Sequence, residues 1–379
     1  MTSFTPLPDS ATGREIAQQP RLWSEVAATA AARRPETEAF LAPLLARPDL
    51  RIVLTGAGSS AFAGQLVAPA LTRSLRRRVD ALPTTDVVSD PRAVFAEDLP
   101  TLLVSFARSG DSPESVAATT LAEQCLSSVF HLVVTCNSDG QLAREHAERE
   151  RSLVLLMPSA SHDTGFAMTS SFTCMVLGCW LTLLRSPPDP ELTPAAAAAA
   201  EQVLGDRVGE LSALVDRGYG RVVFLGSGGL GGLARESALK LVELTAGRIV
   251  TSFDSALGFR HGPKAFLDEQ TLAVVYLSND PYTRRYDEDI AVELRAALGP
   301  RHVLVLAGRP SEQLGVDGAW VLDGLESADD VALGLVFAMV AQVFALCYST
   351  ALGLTPDNPF PSGEVNRVVQ GVTVHPLDG

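Results

Sequence analysis

Two short runs of β-branched and apolar residues, Arg51 to Thr55 and Arg221 to Leu225, each break off into a glycine-rich turn. The turns read GAGSSAFAG from Gly56 and GSGGLGG from Gly226, 170 positions apart. Two more apolar runs repeat at nearly the same offset: Leu102 to Pro113 resembles Leu272 to Pro281, with Ser109 set against Ser278, and Val129 to Ser138 resembles Arg301 to Ser311. Three matches at one offset predict a duplicated unit. In each half, apolar strand, turn and helical stretch alternate, the pattern of a parallel sheet with helices on both faces. The fold class is therefore α/β, with two parallel-sheet domains behind an N-terminal helical segment. Trp23 and Phe40 are that segment's expected packing anchors. Phe172 to Leu184 is apolar but too short to span a bilayer and reads as a buried core helix. Pro187, Pro188, Pro190 and Pro194 mark a linker, after which a helix is expected near Pro194 with Thr193 as its N-cap. The expected organisation is 1–50, a helical segment; 51–190 and 191–355, the two copies; and 356–379, a tail that contributes to the site.

Composition narrows the function. The 379 residues are 46% hydrophobic and 20% charged, enough for a large core. A net charge of −14 argues against a nucleic-acid binder, which needs a basic face. It leaves room for an anionic small molecule, because a local donor cluster overrides the global field. The five cysteines contain no CxxC pair and the six histidines show no metal-type spacing. Free thiols in a reducing cytoplasm and no metal are the expectation. The opening ten residues lack a basic stretch followed by an apolar run, so no secretory signal and no membrane partner is expected.

Four stretches carry candidate chemistry, each with a plain structural alternative. In open parallel sheets, ligands bind beyond the carboxyl ends of the strands, where helix N-termini point. The turn at Gly56 offers Ser59 and Ser60 to an anion there, or is simply a tight strand-to-helix connection. It is neither GxGxxG nor a P-loop. After the next run, Arg108, Ser109 and Ser112 combine one cation with two hydroxyls, which suits a phosphate monoester. The same residues also read as a helix start with Ser112 as N-cap and Pro113 behind it. Along LARESALKLVELTAG from Leu233, Glu236, Lys240 and Glu243 share one face. A solvated salt-bridge stripe is the ordinary reading. Apolar residues around most of the circumference, and a helix start at the ligand edge, point instead to a proton-transfer group in a dry pocket. His261, followed by Gly262 and Pro263, sits in a turn that either aims an imidazole outwards or is purely structural.

Together these residues resemble the sugar isomerase (SIS) domain in two copies. The layout is similar to the isomerase half of glucosamine-6-phosphate synthase. It resembles more closely the bacterial galactosamine-6-phosphate deaminase/isomerase family, also labelled tagatose-6-phosphate ketose/aldose isomerase. The phrases that carry the resemblance are SFARSGDSPESVA from Ser105, HDTGFAMTSSFT from His162, LGFRHGPK from Leu257, NDPYTRRYD from Asn279 and PDNPFPSGEVNRVVQGVTVH from Pro356. The resemblance implies that Ser59, Ser60, Arg108, Ser109 and Ser112 hold a 6-phosphate. It implies that Glu243 moves a proton between C1 and C2, that Lys240 stands beside it, and that His261 opens the sugar ring. It further implies a homodimer with His261 reaching in from a neighbouring subunit, a sugar-phosphate substrate and no cofactor. The synthase pattern has a Schiff-base lysine in its tail, whereas Val369 to His375 contains none. There is also no glutaminase domain, so release or use of free ammonia is what the pattern leaves standing. The implied reaction takes an amino-sugar 6-phosphate, most readily galactosamine-6-phosphate, to tagatose-6-phosphate and ammonia. A glucosamine-6-phosphate deaminase, a plain isomerase and a non-catalytic sugar-phosphate sensor are the alternatives.

Overall fold

A computed structural model describes residues 7–315, 317–369 and 371–377. The first six residues and Gln370 of the tail phrase lie outside the described residues. The chain forms two compact units. The first gathers Glu25–His162, Ser170–Pro188 and Gly363–Gly379; the second gathers Met1–Ser24, Asp163–Thr169 and Asp189–Ser362.

The first unit holds strands β1 (Arg51–Thr55), β2 (Val79–Ala81), β3 (Thr101–Ala107), β4 (Val129–Thr135) and β5 (Ser152–Leu156). They pair in parallel in the order β2-β1-β3-β4-β5. The second holds β6 (Arg221–Leu225), β7 (Val250–Asp254), β8 (Thr271–Tyr276), β9 (Val303–Ala307) and β10 (Trp320–Val321). Their order, β7-β6-β8-β9-β10, is that of the first sheet strand for strand, again all parallel. β3 and β8 are buried at every position, as a sheet covered on both faces demands.

The duplication extends to single residues. Gly58 and Gly228 both take left-handed backbone, with φ of 56° and 57°. A Cβ on Gly56 would lie 2.6 Å from Ser60, and one on Gly226 would lie 2.4 Å from the Leu230 carbonyl oxygen. Only glycine lets the following helix fold back this closely onto the strand end. Register corrects one expectation. Arg51 pairs with Thr101 and Arg221 with Thr271, so Ser278 is the counterpart of Arg108, and Asn279 that of Ser109.

At that place the second copy is filled by its own acids. The Ser278 amide donates to Asp287 at 3.1 Å, and the Ser227 hydroxyl donates to the same carboxylate at 2.5 Å. The Ser278 hydroxyl and the Asn279 amide donate to Asp330 at 2.7 and 2.9 Å.

Helices Ala11–Ala17, Gln19–Ala32 and Arg34–Leu45 form the N-terminal segment, in which Trp23 is fully buried and Phe40 only partly. Ser170–Leu183 is a core helix, buried along almost its whole length. The helix after the proline-rich linker spans Leu192–Gln202, with Glu191 rather than Thr193 at its N-cap; Thr193 is buried in the first turn. The most apolar helix is Asp330–Ala351. By length and composition it is able to cross a membrane, but 94% of its apolar window is buried inside the protein. It is the core helix of the second unit, flanked by Leu230–Leu244, Val208–Val215 and Ala11–Ala17.

Candidate active site

The expected phosphate-binding residues gather on adjacent strands of the first sheet; Glu243 and His261 are carried by separate elements of the second unit. In the first unit the turns after β1 and β3, which are neighbours, bring up the hydroxyls and the cation. Ser59 and Ser60 open the Ser59–Leu75 helix, and both are buried. The first-turn amides of Ser60, Ala61 and Phe62 are bonded back to the turn at Ala57 and Gly58, so what this end offers an anion is the positive end of the helix and the two hydroxyls. Arg108 follows β3 directly and is also buried; its Nη2 donates to the Arg367 carbonyl of the tail at 2.6 Å. Gly110 turns the chain at φ 75°. Asn137 pins the loop by donating to the Ser109 carbonyl at 2.9 Å.

Ser112 does stand at the N-cap of Pro113–Cys125, but its side chain makes no capping bond. Its hydroxyl pairs with Ser115 at 2.6 Å, and Ser115 is itself buried. Neither Ser115 nor the tail's grip on Arg108 was found from sequence. Ser115 reads as an ordinary first-turn residue, and a bond between residues 108 and 367 leaves no local pattern.

In the second unit the helix after β6 spans Leu230–Leu244 and ends at two left-handed residues, Ala246 and Gly247. Its charged face is not a solvated stripe. Glu236 and Lys240 are each 1% exposed, whereas Glu243 retains 23%. Lys240 Nζ lies 3.5 Å from Glu236 and donates to Glu243 Oε2. A buried ammonium between two carboxylates has the Coulombic partners that a desolvated charge requires. Glu243 is left as the member of the trio that still reaches solvent, the position a proton-transfer group needs.

Glu243 stands at the far end of its helix from the helix start. The first turn lies at the carboxyl edge of β6, but Glu243 lies in the last turn, about 20 Å along a helix that rises 1.5 Å per residue. The helix connects the parallel strands β6 and β7, so it runs back antiparallel to both and carries Glu243 towards the amino end of β7; midway, Thr251 donates to the Ala238 carbonyl at 3.3 Å. His261 follows β7 in the chain, exposed between two 3₁₀ turns, Gly258–Arg260 and Pro263–Phe266. The two elements cover opposite faces of the second sheet: Ser237 of the Glu243 helix bonds Tyr276, whereas Phe259 beside His261 packs with Val275, the neighbouring and oppositely facing residue of β8.

The loop that carries His261 is strapped to the Thr283–Leu298 helix. Phe259, fully buried, packs with Ile290 and Leu294. Glu293, one position before Leu294, accepts from Arg260 Nε at 2.8 Å and from Lys264 Nζ. These interactions hold the Glu293 carboxyl below the usual range, first through the Lys264 hydrogen bond. Beside the loop, β7 is an edge strand with Val250 52% and Phe253 43% exposed, and Leu257 is exposed as well. Among the described residues no group of three or more histidine, cysteine or acidic side chains is placed to hold a metal ion.

Comparison with known proteins gives four concordant findings. Residues 44–185 and 217–350 each match the SIS domain. The chain is 60% identical to AgaS of Streptomyces coelicolor over 98% of both chains. It is 44% identical to the D-galactosamine-6-phosphate deaminase AgaS of Shewanella sp. over 97% of this chain and 92% of that one. The crystal structure of tagatose-6-phosphate ketose/aldose isomerase from Escherichia coli superposes with a TM-score of 0.89 at 40% identity, covering the whole of both chains.

Proposed function

The chain belongs to the SIS-domain family, in two copies, and within it to the AgaS group, and from that premise we propose that it is an amino-sugar-phosphate deaminase and isomerase. Its substrate is galactosamine-6-phosphate; its products are tagatose-6-phosphate and ammonia. Ser59, Ser60, Arg108, Ser109 and Ser112 hold the 6-phosphate, a role suited to a buried guanidinium beside a helix N-terminus.

His261 promotes opening of the pyranose by moving a proton between the ring oxygen and the anomeric hydroxyl. Glu243, as carboxylate, takes the C2 proton and returns it at C1, passing through an enolamine. The resulting C2 imine adds water and expels ammonia, leaving the ketose. Lys240 is a fixed positive charge beside this carboxylate, and it stabilises anionic charge developing on the substrate. The observation that carries the reading is the buried Lys240 in direct contact with a Glu243 that keeps a path to solvent.

The active assembly is a homodimer in which His261 serves the neighbour's Glu243. Two features support this: within one chain the Glu243 helix and the His261 loop cover opposite faces of the second sheet, and the exposed apolar edge beside His261 suits a protein interface. The five cysteines are free thiols, which suits the cytoplasm.

A second reading has its own support in the isomerase named for the Escherichia coli structure. The same proton shuttle on a substrate with a C2 hydroxyl is a plain aldose–ketose isomerisation. Ammonia release should be followed with galactosamine-6-phosphate and glucosamine-6-phosphate side by side, with interconversion of aldose and ketose 6-phosphates as a third arm. Ammonia from the galacto epimer in clear preference is the expected result. Isomerisation without ammonia release from either amino sugar would overturn the deaminase reading.

A further inference from the structure

We propose that Glu293 is a positioning residue for the ring-opening step, holding the loop that presents His261. The inference rests on the reading of His261 as the ring-opening group. Arg260 immediately precedes His261 and Lys264 lies three residues after it, and both donate to the one carboxylate of Glu293. The imidazole thus sits on a short arch whose two feet are tied to a single point. That point is on the Thr283–Leu298 helix, which also takes Phe259 into its core-facing side. Gly262, at φ 118°, turns the chain at the top of the arch.

Without the ionic tie, Phe259 still anchors the loop before His261, and Phe266, packed on the core and bonded to Arg221, anchors it beyond Lys264, but the stretch from Arg260 to Lys264 that presents the imidazole loses its tie to the helix. The consequence is misplacement, not unfolding. A displacement of about 1 Å in a reacting group costs on the order of 100-fold in rate. A tie that acts through His261 must slow only the step that His261 performs. Substrate that is already open-chain has no need of that step.

The experiment compares wild type, Glu293→Gln and His261→Asn on galactosamine-6-phosphate and on an analogue lacking both ring-forming hydroxyls, which is fixed in the open-chain form. We expect Glu293→Gln to lower kcat on the cyclic substrate roughly 10- to 100-fold with little change in KM, and to leave turnover of the open-chain analogue near wild type. His261→Asn should show the same selectivity with a larger loss. Lys264→Met, which removes one foot of the arch, should fall between wild type and Glu293→Gln, and it provides a second variant should Glu293→Gln fold poorly. Equal losses on both substrates would make Glu293 merely structural and overturn the inference. So would a Glu293→Gln enzyme of wild-type activity alongside a crippled His261→Asn. If His261→Asn itself turned over the cyclic substrate normally, the ring-opening role and the positioning role would fall together.

Discussion

Arg108 and Glu243 make separable contributions, and substitution should separate them. Glu243→Gln keeps the shape and the contact with Lys240 but removes the base, so kcat should fall by about 10²–10⁴ with KM nearly unchanged. Arg108→Ala removes a charge-assisted donor to the phosphate, so KM should rise about 10- to 100-fold while kcat holds. Steady-state kinetics on the two purified variants checks both; reversal of the pattern would exchange the two assignments. Single residues were legible in sequence wherever chemistry and spacing coincide, as in the Glu236, Lys240 and Glu243 face. They were illegible where a partner is remote. Nothing near Arg108 announces the Arg367 carbonyl, and nothing near His261 announces Glu293.

At the scale of elements, a buried pair of histidines makes the first sheet sensitive to acid. His131 on β4 and His146 on the Gln141–His146 helix face each other with ring centroids 4.5 Å apart. Burial pushes each down to about 4, and Arg149 adds to the depression of both. The unfolded chain takes up these protons near pH 6.5, ahead of the folded one. Stability is therefore full above about pH 6.5 and is lost progressively as pH falls towards 4, by roughly 3 kcal/mol for each histidine.

The second sheet carries a group of opposite sign: burial raises Asp287 to about 7. Its contribution is greatest in acid and declines as pH rises from the unfolded carboxyl value through 7. Hydrogen exchange followed from pH 7.5 to 4.5 should show β4 and β5 losing protection before β6 and β8; the reverse order would refute this account. The strands and turns themselves were readable from apolar runs ending in glycine. Register was misread by one residue because matching serines, 109 and 278, are not matching positions. The glycines mark where the Leu230–Leu244 helix starts, but no local pattern says which of its ends serves a ligand.

For the whole molecule, the proposed dimer, in which His261 serves a neighbour's Glu243, has support in the placement of the two elements on opposite faces of the second sheet. Glu243→Gln and His261→Asn homodimers, each nearly inactive, should regain activity when subunits are exchanged, since a mixed dimer has one site with both groups intact. No recovery after exchange verified by mass would place the imidazole and the carboxylate in the same chain. The copied architecture also has an asymmetry with a consequence of its own. Where the first module offers Arg108, the second has closed over Asp287 and Asp330. The polypeptide brings its own occupants to one of two inherited seats. If the phosphate sits at Arg108 as proposed, doubling the module has enlarged the scaffold without doubling the stoichiometry, and a sigmoidal saturation curve would have to arise between chains.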